Sequence, residues 1–361
     1  MINTRFHKLS TGCLLACFAG FAWAAAAQTT NEPGWESYFR LHKVTADDDW
    51  TRHFRVGAAV GLNISASFNE HGLFNLSGNN VANGIYDDGY VREDQTGNAG
   101  GYTSYWGYNN ASQYNAAAQT LSMHSTTSYS TTGGSKDDGS PFLGFDMAYG
   151  DNLWYWRHIR IGWELGFDLL PITITDNQPM SAMVSQSIYT FNTGGIVVPS
   201  APYQGGPGGQ GPLLPGTPAL SPGQTFSAGT VTGTRKLDVM LYSVKLGPSF
   251  YWDWSDHLGM SLGAGPAVGV VSVDYNYDEI VTTASSSAHN VGGFGTTDVV
   301  FGGYVSAMLM YHFQDNGRNA DIFVGAQYMP MGDATISDSG REGCLNLGGQ
   351  AYVCIGMNWP F

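Results

Sequence analysis

Charged side chains are scarce in this sequence. They make up 12% of its 361 residues, against about 25% in an ordinary soluble domain. Long apolar runs are missing as well. A membrane helix needs roughly 18 or more consecutive apolar residues, and no such run exists although 43% of the chain is apolar. A helical membrane protein is therefore excluded. Bases are few: 15 Lys and Arg face 29 Asp and Glu, a net charge of −14. That argues against nucleic acid, whose binding relies on neutralising phosphates. No Walker, Rossmann, zinc or serine-elbow motif occurs, and no cofactor or metal is expected. What is plentiful is glycine, at 49 residues, and aromatics, at 13%. This mixture suits an all-β protein with close backbone approaches and rings at an interface.

The start reads as a secretory leader. Arg5, His7 and Lys8 precede a short apolar run from Leu9 to Ala24, and Ala25, Ala26 and Ala27 form a small-residue cleavage site. Residues 1–27 are expected to be removed, which takes the net charge from −14 to −16 with the loss of Arg5 and Lys8. Leu14-Leu15-Ala16-Cys17 has the form of a lipoprotein box, but the apolar run before Cys17 is very short. Residues 28–52 form a periplasmic segment and 53–361 the main domain.

The last strand is the clearest element. Phe361, Trp359, Met357, Ile355, Val353 and Ala351 alternate with small or polar residues. Such period-2 alternation marks a strand with one greasy face. Seven more runs share it: 54–64, 143–149, 159–169, 240–252, 258–270, 299–313 and 322–328. Arg55, Asp146, Arg160, Glu164, Asp168 and Lys245 all fall on the other face. A soluble sandwich can show the same pattern. The links decide otherwise. They alternate short (150–157, 253–257, 314–321) with long (67–141, 171–236, 275–298), as short periplasmic turns and long outer loops do. Trp154, Trp156, Trp252, Trp254, Tyr311, Phe313, Trp359 and Phe361 gather at the short-turn end as an aromatic girdle. The fold class is all-β: an eight-stranded antiparallel transmembrane β-barrel.

On these residues the chain resembles the small eight-stranded outer-membrane proteins of the OmpA, OmpX and OmpW type, over its barrel strands from His53 to Phe361. The resemblance implies a bacterial outer-membrane location and lipid as the surrounding partner. It also implies that the terminal Phe361, with its alternating apolar residues, is the mark read by the barrel-assembly machinery. A monomer is expected. The first two outer loops are longer than that family's.

Eight strands leave an interior that side chains can fill. Buried charges need partners, so Arg55, Arg160 and Lys245 are expected to pair with Asp146, Glu164 and Asp168 and plug the lumen. A gated ion path through those pairs is the alternative. In the first loop, the clustered carboxylates from Tyr86 to Asp94 could be a Ca²⁺ site, but they lack EF-hand spacing and read as a solvated acidic turn. Tyr102, Tyr105, Trp106, Tyr108 and Tyr114 either pack on the rim or contact a partner. Residues 194–224, rich in Gly and Pro, are expected to be disordered. Cys344 and Cys354 are a possible disulfide if Gly348-Gly349 makes a hairpin. His124 beside Ser125, and His289 near Ser285 to Ser287, are the rim positions where catalysis would be sought, and neither has a nucleophile motif. The expectation is a non-enzyme with a structural or surface-interaction role. The alternatives are a narrow pore and, more distantly, a rim lipid-modifying enzyme.

Overall fold

The computed structural model describes residues 42–43, 51–73, 80–139, 141–219, 222–284, 286–315 and 318–361. The expected leader and most of the periplasmic segment lie outside the described residues. The principal strands are β1 (Arg52–Leu62), β2 (Ser65–Leu73), β3 (Thr120–Thr131), β4 (Phe142–Trp156), β5 (Ile159–Asp176), β6 (Met180–Asn192), β7 (Gly223–Asp253), β8 (Leu258–Thr283), β9 (Ser287–Asp315), β10 (Arg318–Tyr328), β11 (Ala334–Asp338), β12 (Arg341–Asn346) and β13 (Ala351–Pro360).

Eight of these close an antiparallel ring. Going round it, β1 pairs with β4, β4 with β5, β5 with β7, β7 with β8, β8 with β9, β9 with β10, β10 with β13, and β13 with β1. They are the eight runs read from the alternation. At the seam His53 faces Pro360 and Phe54 faces Trp359. Phe361 N donates to Arg52 O at 2.8 Å, and Arg52 N returns a bond to Phe361 O at 3.0 Å. The ring thus satisfies its backbone without an open edge, the condition for a sheet to stand in lipid. Leu143, Leu165, Leu246, Phe301, Ile355 and their greasy neighbours point outward and are exposed. Trp154, Trp252, Trp254, Tyr311, Phe313, Trp359 and Phe361 are exposed at the short-turn end, with Trp156 half-buried beside them.

The first link is shorter than the expected 150–157. Strand β4 runs on to Trp156, and only Arg157 and His158 turn the chain, Arg157 with φ 52°. Strands also run much farther at the other end. A tilted strand crosses a bilayer in about 9–11 residues, yet β7, β8 and β9 have 31, 26 and 29. Beyond Met240 the outward residues of β7 become Asp238, Lys236 and Thr234; beyond Val270 those of β8 become Ser272, Asp274 and Asn276. The greasy band stops there, and the wall continues into water. In this upper part β6 replaces β5 as the partner of β7, and the sheet runs on through β3, β2, β12 and β11.

Two cysteine thiols end far from the expected disulfide, and both are free. The hairpin forms at Ser339-Gly340, with φ 48° and 82°, and not at Gly348-Gly349. Gly340 is required there: a Cβ would collide with the His71 carbonyl, whose residue bonds Gly340 O through its own N–H. Cys344 therefore sits in β12 between Thr335 and Ser67, while Cys354 faces Ala59 and Gly325 in the barrel.

Within 194–219 the expected disorder gives way to pairing and burial. Tyr203-Gln204 pairs with Tyr108 and Gly107, and Leu214-Pro215 with Thr103 and Tyr102. Trp106, fully buried, donates its indole N–H to Pro212 O at 2.7 Å, and Tyr90 OH donates to Gly205 O at 2.8 Å. The segment lacks a core of its own and borrows the aromatic one of the first loop, where Trp106, Tyr108, Leu121, Phe191 and Leu214 cluster.

The band makes a depth-dependent prediction. Leu165→Arg, at mid-band, should cost about 2–4 kcal/mol in urea unfolding from lipid vesicles, and Thr297→Arg, at its upper edge, about 0–1 kcal/mol.

Candidate functional site

The inward residues of β5 explain the interior. Every second position reads Glu164, Gly166, Asp168, Leu170, Ile172, Ile174, Asp176. The facing positions of β7 read Lys245, Ser243, Leu241, Val239, Leu237, Arg235. In register, Leu170, Ile172 and Ile174 oppose Leu241, Val239 and Leu237, and Asp176 opposes Arg235. Two charged layers are thus separated by an apolar one, which Val271, Val273, Val300, Met329, Met331, Ile336 and Leu345 complete.

The lower layer lies within the greasy band. Arg55 reaches Glu164 through both terminal nitrogens, at 3.0 and 3.1 Å, and Asp146 through Nε at 3.3 Å. Lys245 Nζ donates to Asp146 at 2.8 Å, to Asp168 at 2.9 Å and to Gln327. Gly166 makes room for it: a Cβ there would stand 2.2 Å from Lys245 Cε. All five charged residues are buried. His53 lies 3.4 Å from Glu164 and 2.7 Å from Tyr251 OH, a third base beside three acids.

Arg160 departs from the expectation. It lies one turn nearer the strand ends, half-buried, and donates to Asp253 at 2.9 Å. Its neighbours there are His312, 3.4 Å from Asp253 and 2.7 Å from Asp321. The reason is register: Arg160 pairs with Tyr251 close to the β7–β8 turn, four residues before Glu164.

The upper layer was not anticipated. Glu70, Asp176, Arg235 and Glu279 are fully buried, with Arg341 nearly so. Arg235 donates through Nε to Asp176 at 2.9 Å, and its Nη1 lies 3.5 Å from Glu279 and 3.7 Å from Glu70. Arg341 Nε reaches Glu279 at 3.4 Å, and Tyr129 OH donates to Glu70 at 3.3 Å. Burial, aided by the neighbouring Glu279 carboxyl, raises the Glu70 carboxyl from its ordinary 4.5 to about 9. The signal was present in sequence, because Asp176 and Arg235 continue the inward alternation of β5 and β7 beyond the greasy runs.

At the rim, His124 and Ser125 are successive strand residues and so face opposite ways. His124 instead bonds Asp88, with its Nδ1 at 2.6 Å from the carboxylate, while its backbone N–H donates to the same side chain at 2.8 Å. Asp87 accepts from Thr126 N at 2.6 Å. Although its Glu93 is exposed, the acidic turn is therefore not solvated at Asp87 and Asp88, contrary to expectation. It caps the edge of β3 with side-chain oxygens in place of a neighbouring strand. The hydrogen bond to Asp88 raises the His124 pKa above its usual value. His289 bonds Asp278 at 2.6 Å, and both are exposed. Among the described residues no group of three or more His, Cys, Asp or Glu is placed to hold a metal. Tyr102 is exposed, whereas Trp106 and Tyr108 are buried in the loop core.

These features define a membrane-spanning β-barrel of eight strands with a tall outer wall. No family model matches the chain, and no curated protein matches it. Among solved structures, it is similar to Ail, the attachment invasion locus protein of Yersinia pestis, in complex with the heparin analogue sucrose octasulfate, with 9% identity, 85% of this chain and 99% of that one covered, and a TM-score of 0.23. It is also similar to the outer membrane protease OmpT of Escherichia coli, with 8% identity, 86% and 97% covered, and a TM-score of 0.25.

Two outcomes are expected. Lys245→Met leaves Asp168 without its base and Asp146 with Arg55 alone, and should destabilise the barrel by about 3–5 kcal/mol in urea unfolding. Asp88→Asn should lower the His124 pKa toward its ordinary value in an NMR titration. The His124–Asp88 contribution in the native protein is full below the ordinary imidazole range and is lost as pH rises through the raised value.

Proposed function

We propose that this protein is a non-catalytic barrel of the bacterial outer membrane, with its short turns in the periplasm and its long loops outside. Its role is structural or surface-interacting, and its lumen is plugged. The observation that carries this reading is the layered interior. An ion taking the lumen would have to break the Arg55–Glu164 and Lys245–Asp146 pairs, cross a dry layer from Leu170 to Leu345, and then break the Arg235–Asp176 pair. Each buried pair broken leaves uncompensated charge, a cost of several kcal/mol. The loops are built for presentation: the first and second share one aromatic core, so they form a folded platform on the outer wall. Neither rim histidine has a serine hydroxyl bonded to it among the described residues; each is paired with an aspartate. Lipid surrounds the greasy band, the last strand serves assembly, and the chain works as a monomer.

Planar-bilayer recording of the purified full chain tests this. No stable conductance is expected from the native protein. Steady single-channel currents at neutral pH would replace the plugged barrel with the narrow pore.

A further inference from the structure

The two charged layers differ in one respect. In the lower layer three carboxylates meet two strong bases, Arg55 and Lys245, with His53 as a third base at 3.4 Å from Glu164. In the upper layer three carboxylates, Glu70, Asp176 and Glu279, meet Arg235 and Arg341, and no histidine is among the partners. Asp176 takes the Nε and Nη2 side of Arg235. Glu70 and Glu279 are left to share Arg235 Nη1, and Arg341 serves Glu279. Glu70 Oε1 accepts no hydrogen bond, and Glu70, Glu279 and Arg235 have no exposure to water. A buried carboxylate in excess over its bases is costly enough that it keeps a proton instead.

The placement makes that proton mechanical. Glu70 is on β2 and Arg341 on β12, next to each other in the sheet. Arg235 and Glu279 are on β7 and β8, which lie on the far side of the upper wall, separated from β2 by β6 and β3. The groups facing Glu70 are Tyr129 from β3, Asp176 from β5, Arg235 from β7, Tyr275 and Glu279 from β8, and Arg341 from β12, whose guanidinium lies over the Tyr277 ring. The layer therefore ties one side of the outer wall to the other through the lumen. Along that edge β2 pairs with Ser135 to Asp137 from Ala66 to Phe68 and with β3 only from His71 to Leu73, so Glu70 sits where the pairing is interrupted.

We propose that the outer half of the barrel is a proton-dependent latch, in which Glu70 must hold a proton to keep β2 and β12 joined across the lumen to β7 and β8. Deprotonation sets two buried carboxylates side by side on one guanidinium nitrogen and drives those strands apart. The first long loop leaves the wall from the end of β2, so opening the latch loosens the base of the loop platform. The lipid-embedded ring, held by its own layer, is not part of the latch. The raised affinity of Glu70 for its proton agrees with this geometry. The sign follows from linkage. The closed form binds one more proton than the open form between the ordinary carboxyl pKa of 4.5 and about 9, so closure is favoured at low pH and weakens as pH rises through that window.

Hydrogen exchange with mass spectrometry on the full chain in lipid nanodiscs reads this directly, once rates are corrected for intrinsic exchange. Peptides spanning 65–73 and 341–346 should open about tenfold more readily per pH unit between about pH 5 and pH 9, then level off. Glu70→Gln, which keeps shape and hydrogen-bonding capacity without the charge, should flatten that slope. Glu279→Gln removes the facing carboxylate and should flatten it too, so either variant serves if the other fails to assemble. Peptides within 143–169 should exchange alike in the native form and in both variants. A flat native profile in 65–73 and 341–346, a variant that keeps the native slope there, or a variant that alters 143–169 as much as 65–73 would each overturn the latch.

Discussion

Backbone hydrogen bonding in lipid governs this molecule. Inside a bilayer no water can serve an unpaired N–H or C=O, so a sheet can stand there only if it closes on itself. Closure here rests on one antiparallel pairing between the first and last strands of the ring, from His53–Pro360 to Leu62–Ala351, finished by the paired bonds of Arg52 and Phe361. Once eight strands close, the radius is set, and an eight-stranded interior holds side chains and little else. Everything on the inner face must then find a partner on the inner face.

The interior obeys this by stratifying. Each charge occupies a layer with its counter-charges, and between the layers aliphatic side chains and methionines exclude water. The layers are about 26 Å apart along a strand, taking the eight residues from Asp168 to Asp176 at about 3.3 Å each. Arg55 and Glu164, 109 residues apart in sequence, meet because the register of β1, β4 and β5 sets Arg55 level with Gly166, one inward position from Glu164. The same register leaves Arg160 too near the turn to join them. The outer wall adds a second principle. Where lipid ends, the outward residues become polar, and the strands can be as long as their mutual pairing supports.

Most of the fold was legible in the residues. Period-2 alternation located all eight ring strands and their inward charges, since which face a residue takes depends on its parity alone. The upper layer was overlooked for a physical reason: outward residues such as Asp238 and Lys236 turn polar above the bilayer, so the greasy signal stops while the strand goes on. The inward rows Leu170, Ile172, Ile174 and Leu241, Val239, Leu237 still carried the alternation. The Gly- and Pro-rich segment misled because its order comes from Trp106, Tyr90 and Tyr108, about a hundred residues earlier. Cys344 and Cys354 misled because the chain turns at Gly348-Gly349 without a hairpin: β12 pairs with β11 and β2, and β13 with β10 and β1.

The sequence by itself determined where the strands run, which face meets lipid and which end carries the aromatic girdle. These are local properties, set by alternation, by composition and by the amphipathic chemistry of individual rings. Only the tertiary structure decided which charges share a layer, that the upper layer holds an acid in excess, and that the two long loops fold on one core. Those facts depend on register between strands distant in the chain, and on burial, which turns a pair of glutamates from solvated charges into groups that compete for one guanidinium and one proton.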